Sequence, residues 1–222
     1  IGIQALAQKL SRNIPSLQIL TLSCGNLSDP ESAKILMESL QTAPKLNTLN
    51  LTQTSINGPG LVGLSSLIER STTLENLELG NNLFGQEGFI LLMPGLMHNT
   101  SLKKLGLELN QLRDNSAAQI ADLLQVTRIL EKLEIHDNEI SDTGLLRIAS
   151  SLRTNKTLAE IDISANSFSN TSLKALVEAL SLNTGLKKLT LQENKGELHL
   201  EDLFKLVSEK NIIRDGSFIL VS

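Results

Sequence analysis

One eleven-residue pattern constrains this chain more than any other feature. The stretch Leu130-Glu-Lys-Leu133-Glu-Ile135-His-Asp-Asn138-Glu-Ile140 places apolar residues at its first, fourth, sixth and eleventh positions and asparagine at its ninth. The same arrangement recurs as Leu17, Leu20, Leu22, Gly25, Leu27 and as Leu46, Leu49, Leu51, Thr54, Ile56. It returns as Leu74, Leu77, Leu79, Asn82, Phe84 and as Leu102, Leu105, Leu107, Asn110, Leu112. After the first-named copy come Leu158, Ile161, Ile163, Asn166, Phe168, then Leu186, Leu189, Leu191, Asn194, where the pattern stops at Gly196. The first leucines are 29, 28, 28, 28, 28 and 28 residues apart. A period held in register through so many copies means that the chain grows by stacking similar units, not by enlarging one core.

The period also dictates what each unit contains. A short strand takes about six residues and a turn about four, leaving a helix of about 12 to 14 residues, ~20 Å at 1.5 Å per residue. Ser116-Ala-Ala-Gln-Ile-Ala-Asp-Leu-Leu and Leu173-Lys-Ala-Leu-Val-Glu-Ala-Leu show the helical spacing. In the five middle units only small residues stand fifteenth: Gly60, Gly88, Ser116, Gly144 and Ser172. That points to a close approach of the helix to the preceding turn. Ser71-Thr-Thr, His98-Asn-Thr-Ser, Thr154-Asn-Lys-Thr and Asn183-Thr-Gly are the polar returns from helix to strand. Alternation along the strand sends Leu133 and Ile135 inward, and Glu134 and His136 to the opposite face.

These motifs resemble leucine-rich repeats, and the 28-residue period resembles the ribonuclease-inhibitor-like class. The resemblance implies an α/β fold: a leucine-rich-repeat solenoid, a right-handed βα horseshoe with a parallel concave sheet and convex helices. Residues 1–222 read as a single domain. Residues 1–13 form the helix of a partial repeat with Ile3, Leu6, Ala7 and Leu10 on one face, and 17–196 hold seven repeats. Residues 197–222 read as a C-terminal cap, with a helix around Leu203 and a short strand over Phe218–Val221; a partner-binding tail is the alternative. The chain begins inside a helical pattern without methionine and reads as a fragment of something longer.

Within that frame the asparagines at position nine have a structural task. An amide side chain donates and accepts, so Asn82, Asn110, Asn138, Asn166 and Asn194 are expected to bridge backbone groups of neighbouring turns. Losing one should cost roughly 1–3 kcal/mol. Thr54 substitutes in part; Gly25 does not, so the N-terminal end should be weaker.

The outward strand positions carry what is particular to this chain. At positions five, seven and eight stand Glu78, Glu108, Glu134, Asp137, Asp162 and Glu193, with no Lys or Arg. Lysines gather at positions two and three, among them Lys103, Lys104 and Lys132. An acidic floor with a partly basic rim suits a protein with a basic surface. Glu134 and Asp162 should lie ~5 Å apart on adjacent strands. Gly106, between Glu78 and Glu134 at position five, should leave a slot for a partner's Arg or Lys side chain. The partner-binding set is therefore Glu78, Gly106, Glu108, Glu134, His136, Asp137 and Asp162.

Other chemistry finds little support. A net charge of −4 with no basic face argues against nucleic acid. No run reaches the ~18 to 20 apolar residues of a membrane span. Cys24 is the only cysteine and reads as a semi-buried structural thiol. Extracellular repeats of this kind usually end in cysteine-rich caps, so the expected setting is the cytoplasm, or the host cytosol for a pathogen effector. His98, His136 and His199 fall in unlike parts of different repeats, so neither a metal nor a cofactor is expected. Gly58-Pro-Gly60 lacks the Lys-Ser/Thr of a phosphate loop. Sequons at Asn26, Asn50, Asn99, Asn155 and Asn170 read as accidents of turn composition. The expected function is non-catalytic protein binding within a larger intracellular protein. The resemblance leaves open an innate-immune receptor segment, a pathogen effector, or a regulator like the Ran GTPase activator.

Overall fold

The computed structural model describes residues 2–11, 14–194 and the strand at 219–221. Strands and helices alternate along it. The first are α1 (Gly2–Leu10), β1 (Ile19–Thr21), α2 (Pro30–Leu40), β2 (Thr48–Asn50) and α3 (Gly58–Arg70). Next come β3 (Asn76–Glu78), α4 (Gly85–His98), β4 (Lys104–Gly106), α5 (Arg113–Val126) and β5 (Lys132–Glu134). The chain continues with α6 (Asp142–Leu152), β6 (Glu160–Asp162), α7 (Asn170–Leu182), β7 (Lys188–Thr190) and β8 (Ile219–Val221). The helices after α1 run 11 to 14 residues, in keeping with the room that the period leaves. The result is a leucine-rich-repeat α/β solenoid.

The chain divides into two compact units, 1–110 and 111–222. In the first, β1 to β4 pair in parallel and in sequence order, with Leu20 beside Leu49, Leu49 beside Leu77 and Leu77 beside Leu105. In the second, β5 to β8 do the same, with Leu133 beside Ile161 and Ile161 beside Leu189. The terminal strand β8 lies beside β7, Leu220 opposite Leu189. The rest of the expected cap, from 197 to 218, lies outside the described residues.

The strands are three residues long where six were expected. Position five is the last of the regular ladder, and the backbone then reaches its neighbour through alternate single bonds. Leu51 N–H donates to Glu78 O and Gln53 N–H to Gly80 O, both at 2.8 Å. Positions eight and ten then turn left-handed on non-glycine residues, including Gln53, Asn81, Leu109, Asp137 and Glu193 at position eight. Each such residue costs about 1–2 kcal/mol, so the turn needs strong side-chain bonds to hold it.

The repeat leucines form the core. Leu77, Leu79 and Leu107 are fully buried, as are Leu133 and Ile135 in the second unit. Burying one such side chain is worth about 1.5–3 kcal/mol. The fifteenth position is crowded as its residues imply. A methyl on Gly60 would sit 2.8 Å from Ala33 Cβ, and one on Gly144 2.6 Å from Ile140 Cγ2. Helix starts are capped locally by Asp29, Ser141 and Ser169. The hydrogen bonds from Ser32 hold the Asp29 carboxyl below its ordinary value.

Candidate protein-binding face

The site is built on the turn that ends each strand. In the first unit Asn82 Oδ1 accepts from Thr54 N–H at 2.9 Å, and its Nδ2 donates to Leu51 O and Leu79 O. Asn110 Oδ1 accepts from Asn82 N–H at 3.1 Å, while its Nδ2 donates to Leu79 O, Leu107 O and Glu108 O. In the second unit Asn138 Oδ1 accepts from Leu112 N–H, Asn166 Oδ1 from Asn138 N–H and Ile140 N–H, and Asn194 Oδ1 from Asn166 N–H. Thr54 joins the series weakly: its hydroxyl donates to Leu51 O and lies 3.0 Å from Asn82 Oδ1. At Gly25 no side chain exists, and Leu27 N–H turns to the backbone oxygen of Thr54. These amides fix the strand ends and so fix where the outward side chains stand.

The first unit presents Glu78, Gly80, Gly106 and Glu108 together. Register sets Glu78 opposite Gly106. A methyl on Gly106 would overlap the Glu78 carboxylate and lie 3.1 Å from Glu108 Oε2. A methyl on Gly80 would overlap the carboxylate of Glu108. Each glycine thus provides the floor on which a neighbouring glutamate lies, and both carboxylates border Gly106. The slot expected above Gly106 is therefore occupied by Glu78 itself; a glutamate side chain is long enough to lean one strand over. Glu108 Oε2 is buried and has no hydrogen-bond partner among the described residues. On the rim Lys103 Nζ lies 2.9 Å from Glu75, and that lysine's hydrogen bond holds the Glu75 carboxyl below its ordinary value.

The second unit spends its acids differently. Glu134 stands opposite Asp162 in register. Glu134 is ion-paired at 3.0 Å with Lys132 of its own strand, so its charge is largely offset locally. Asp162 Oδ1 accepts from Ser164 N–H at 3.0 Å and from the Ser164 hydroxyl. His136 is half-buried and Asp137 is exposed on a left-handed backbone.

Several features escape the eleven-residue pattern. A second set of amides holds the helix-to-strand turns. Asn99 Nδ2 donates to Ile68 O at 2.7 Å, Asn155 Nδ2 to Leu124 O at 2.8 Å and Asn183 Nδ2 to Leu152 O at 2.6 Å. Their oxygens accept from the amides two and three residues on, as at Thr157 and Leu158. Asn155 is only 2% exposed, so its sequon is structural. Aspartates brace the next repeat as well. Asp114 accepts from Ser141 N–H and Gly144 N–H, and Asp142 from Ser169 N–H and the Ser169 hydroxyl. Burial pushes the Asp142 carboxyl up, but the bonds from Ser172 and Ser169 outweigh it and leave it below its ordinary value. Cys24 corrects an expectation: it is exposed, not semi-buried. It occupies the left-handed eighth position, which faces solvent in other repeats too, and its Sγ lies 3.4 Å from Gln53 Oε1.

Fold, register and turn chemistry together define a leucine-rich-repeat protein. The leucine-rich-repeat family model matches residues 98–121 and 128–149. A 93-residue segment is 36% identical to the human protein NLRC5, covering 41% of this chain and 5% of that protein. The chain thus spans a small fraction of that relative's length. Among solved structures, leiomodin-1 actin-binding site 2 aligns over 92% of this chain and 84% of its own, at 16% identity and a TM-score of 0.45. Over the residues that the family model covers, the chain matches the leucine-rich-repeat family, and repeats of this kind serve as protein-interaction modules.

Proposed function

We propose that the chain is a non-catalytic, cytosolic protein-binding module, a segment of a larger protein, whose outward strand face takes a basic partner. Its most specific contact is an arginine or lysine side chain received between Glu78 and Glu108. One observation carries this reading. Glu108 Oε2 is buried beside a second carboxylate and makes no hydrogen bond among the described residues. A buried acceptor left unsatisfied costs about 1–3 kcal/mol, and a guanidinium offers donors in a planar fork suited to carboxylates. The ribonuclease-inhibitor-like period supports the same use of the face, since it sets the strands side by side with their outward residues in rows.

The test is a titration with a fluorescent Arg-Gly-Gly repeat peptide at low and high salt. Binding should weaken at least about tenfold when Glu78→Gln and Glu108→Gln are combined, and should fall steeply with salt. Equal affinity of wild type and double variant, with both folded, would overturn the reading.

A further inference from the structure

The helix side of the first unit carries a second surface. Between α2 and α3 runs a groove of about 770 Å³, bordered by Lys34, Glu38, Pro59, Val62, Gly63 and Arg70. Its cause is local. Gly63 has no side chain, whereas Leu91, Gln119, Arg147 and Ala175 stand at the corresponding positions 28 residues apart. The glycine backbone comes down onto α2, where a methyl would lie 3.0 Å from Met37 Cβ and 3.7 Å from Lys34 Cα. The other side of α3 is closed: Gly95 N–H of α4 donates to Ser65 Oγ at 2.9 Å. Val62 stands on the border of the groove, 50% exposed.

The charges around this apolar strip are in place and little used. Lys34, Glu38 and Arg70 are exposed. Arg70 Nη1 donates to Gln41 Oε1 at 3.3 Å. Lys34 and Glu38 enter no ion pair among the described residues. Lys34 is level with Gly63, and Arg70 is seven residues further along α3, about 10 Å at 1.5 Å per residue. Two cations that far apart, with an apolar floor between them, match the face of a helix with acids at i and i+7 and apolar residues at i+3 and i+4.

We propose that this groove docks an amphipathic helix of a partner protein in that pattern. Its two carboxylates meet Lys34 and Arg70, and its leucines settle on Gly63 and Val62. Glu38, between the cations, repels a continuously acidic face and so selects the spaced pair. The module would then hold one partner on its strands and another on its helices. The inference uses different residues from the strand-face reading and stands or falls separately.

The probe is a labelled, alanine-based helical peptide with glutamates at i and i+7 and leucines at i+3 and i+4, followed by anisotropy. The wild-type chain should bind it, and bind polyglutamate of equal length more weakly. Lys34→Glu with Arg70→Glu should weaken binding at least about tenfold and transfer preference to the same peptide with lysines in place of glutamates. Gly63→Leu should weaken it similarly by filling the floor. Because a side chain there presses on Met37, its melting curve is recorded, and the charge swap on exposed residues decides if it unfolds. Glu78→Gln with Glu108→Gln should leave this binding unchanged. No binding by wild type, equal binding of polyglutamate, indifference to the charge swap, or loss in the strand-face variant would each overturn the proposal.

Discussion

Asn110 and Glu108 stand two residues apart and use their polar atoms in opposite ways. Asn110 is fully buried, and its amide satisfies three carbonyls while its oxygen receives the preceding turn's N–H. Glu108 is half-buried, and its Oε2 is shut from solvent without a hydrogen-bond partner among the described residues. Native interiors rarely leave such an atom unmet. The contrast separates the turn region, which holds the solenoid together, from the strand floor, where a buried acceptor is left unmet among the described residues.

Substitutions can break that contrast in graded steps. Asn110→Ala removes bonds to its own turn and to the preceding one and should cost about 3 kcal/mol or more; urea unfolding measures it. Asn155→Ala, in the second set of amides, should cost about 2 kcal/mol by the same logic, with fewer groups orphaned. Either loss approaching zero would mean that the amides are replaceable by water.

Acid gives a smaller and reversible effect. The Asp142 carboxyl lies below its ordinary value in the folded chain. Its contribution is therefore complete above the ordinary carboxylate range, near pH 3.9, and is lost as pH falls through the lowered folded value. Asp142→Asn should flatten the acid limb of a stability-against-pH curve and leave the curve above about pH 6 parallel to wild type.

Changes on the floor should hardly touch stability. Gly106→Leu meets the far end of the Glu78 side chain, which can swing away. It should shift stability by less than about 1 kcal/mol, while displacing one carboxylate of the pair. Leu83→Gly is the mildest change. Leu83 is 60% exposed with φ 56°, so glycine relieves left-handed strain and should raise stability by up to about 1 kcal/mol.

The repeat leucines and the ninth-position asparagines were legible because each needs one residue type at one spacing. The second amide set was not. Its place is shared by Ser71, Asn99, Thr127, Asn155 and Asn183, whose oxygens accept similar bonds from different side chains. The letter changes while the role stays. The strand register could be read, and with it the pairing of Glu78 with Gly106 and of Glu134 with Asp162. The lean of Glu78 over Gly106 could not, because alternation gives a face and not a direction along the sheet. Nor could it show that Lys132 would pair with Glu134, two residues along the same strand. Gly63 gave no signal either, since a glycine within a helix reads only as a weak helix former. Its meaning appears once the neighbouring helices show what usually fills that place.

One sample tests the division most directly: the Glu78→Gln, Glu108→Gln double variant, melted and then titrated with the Arg-Gly-Gly repeat peptide. The account expects a melting temperature equal to or slightly above wild type, since two like charges are removed, and an affinity at least about tenfold lower. An intact melting curve with undiminished affinity would show that the strand floor is not where this chain recognises a basic partner.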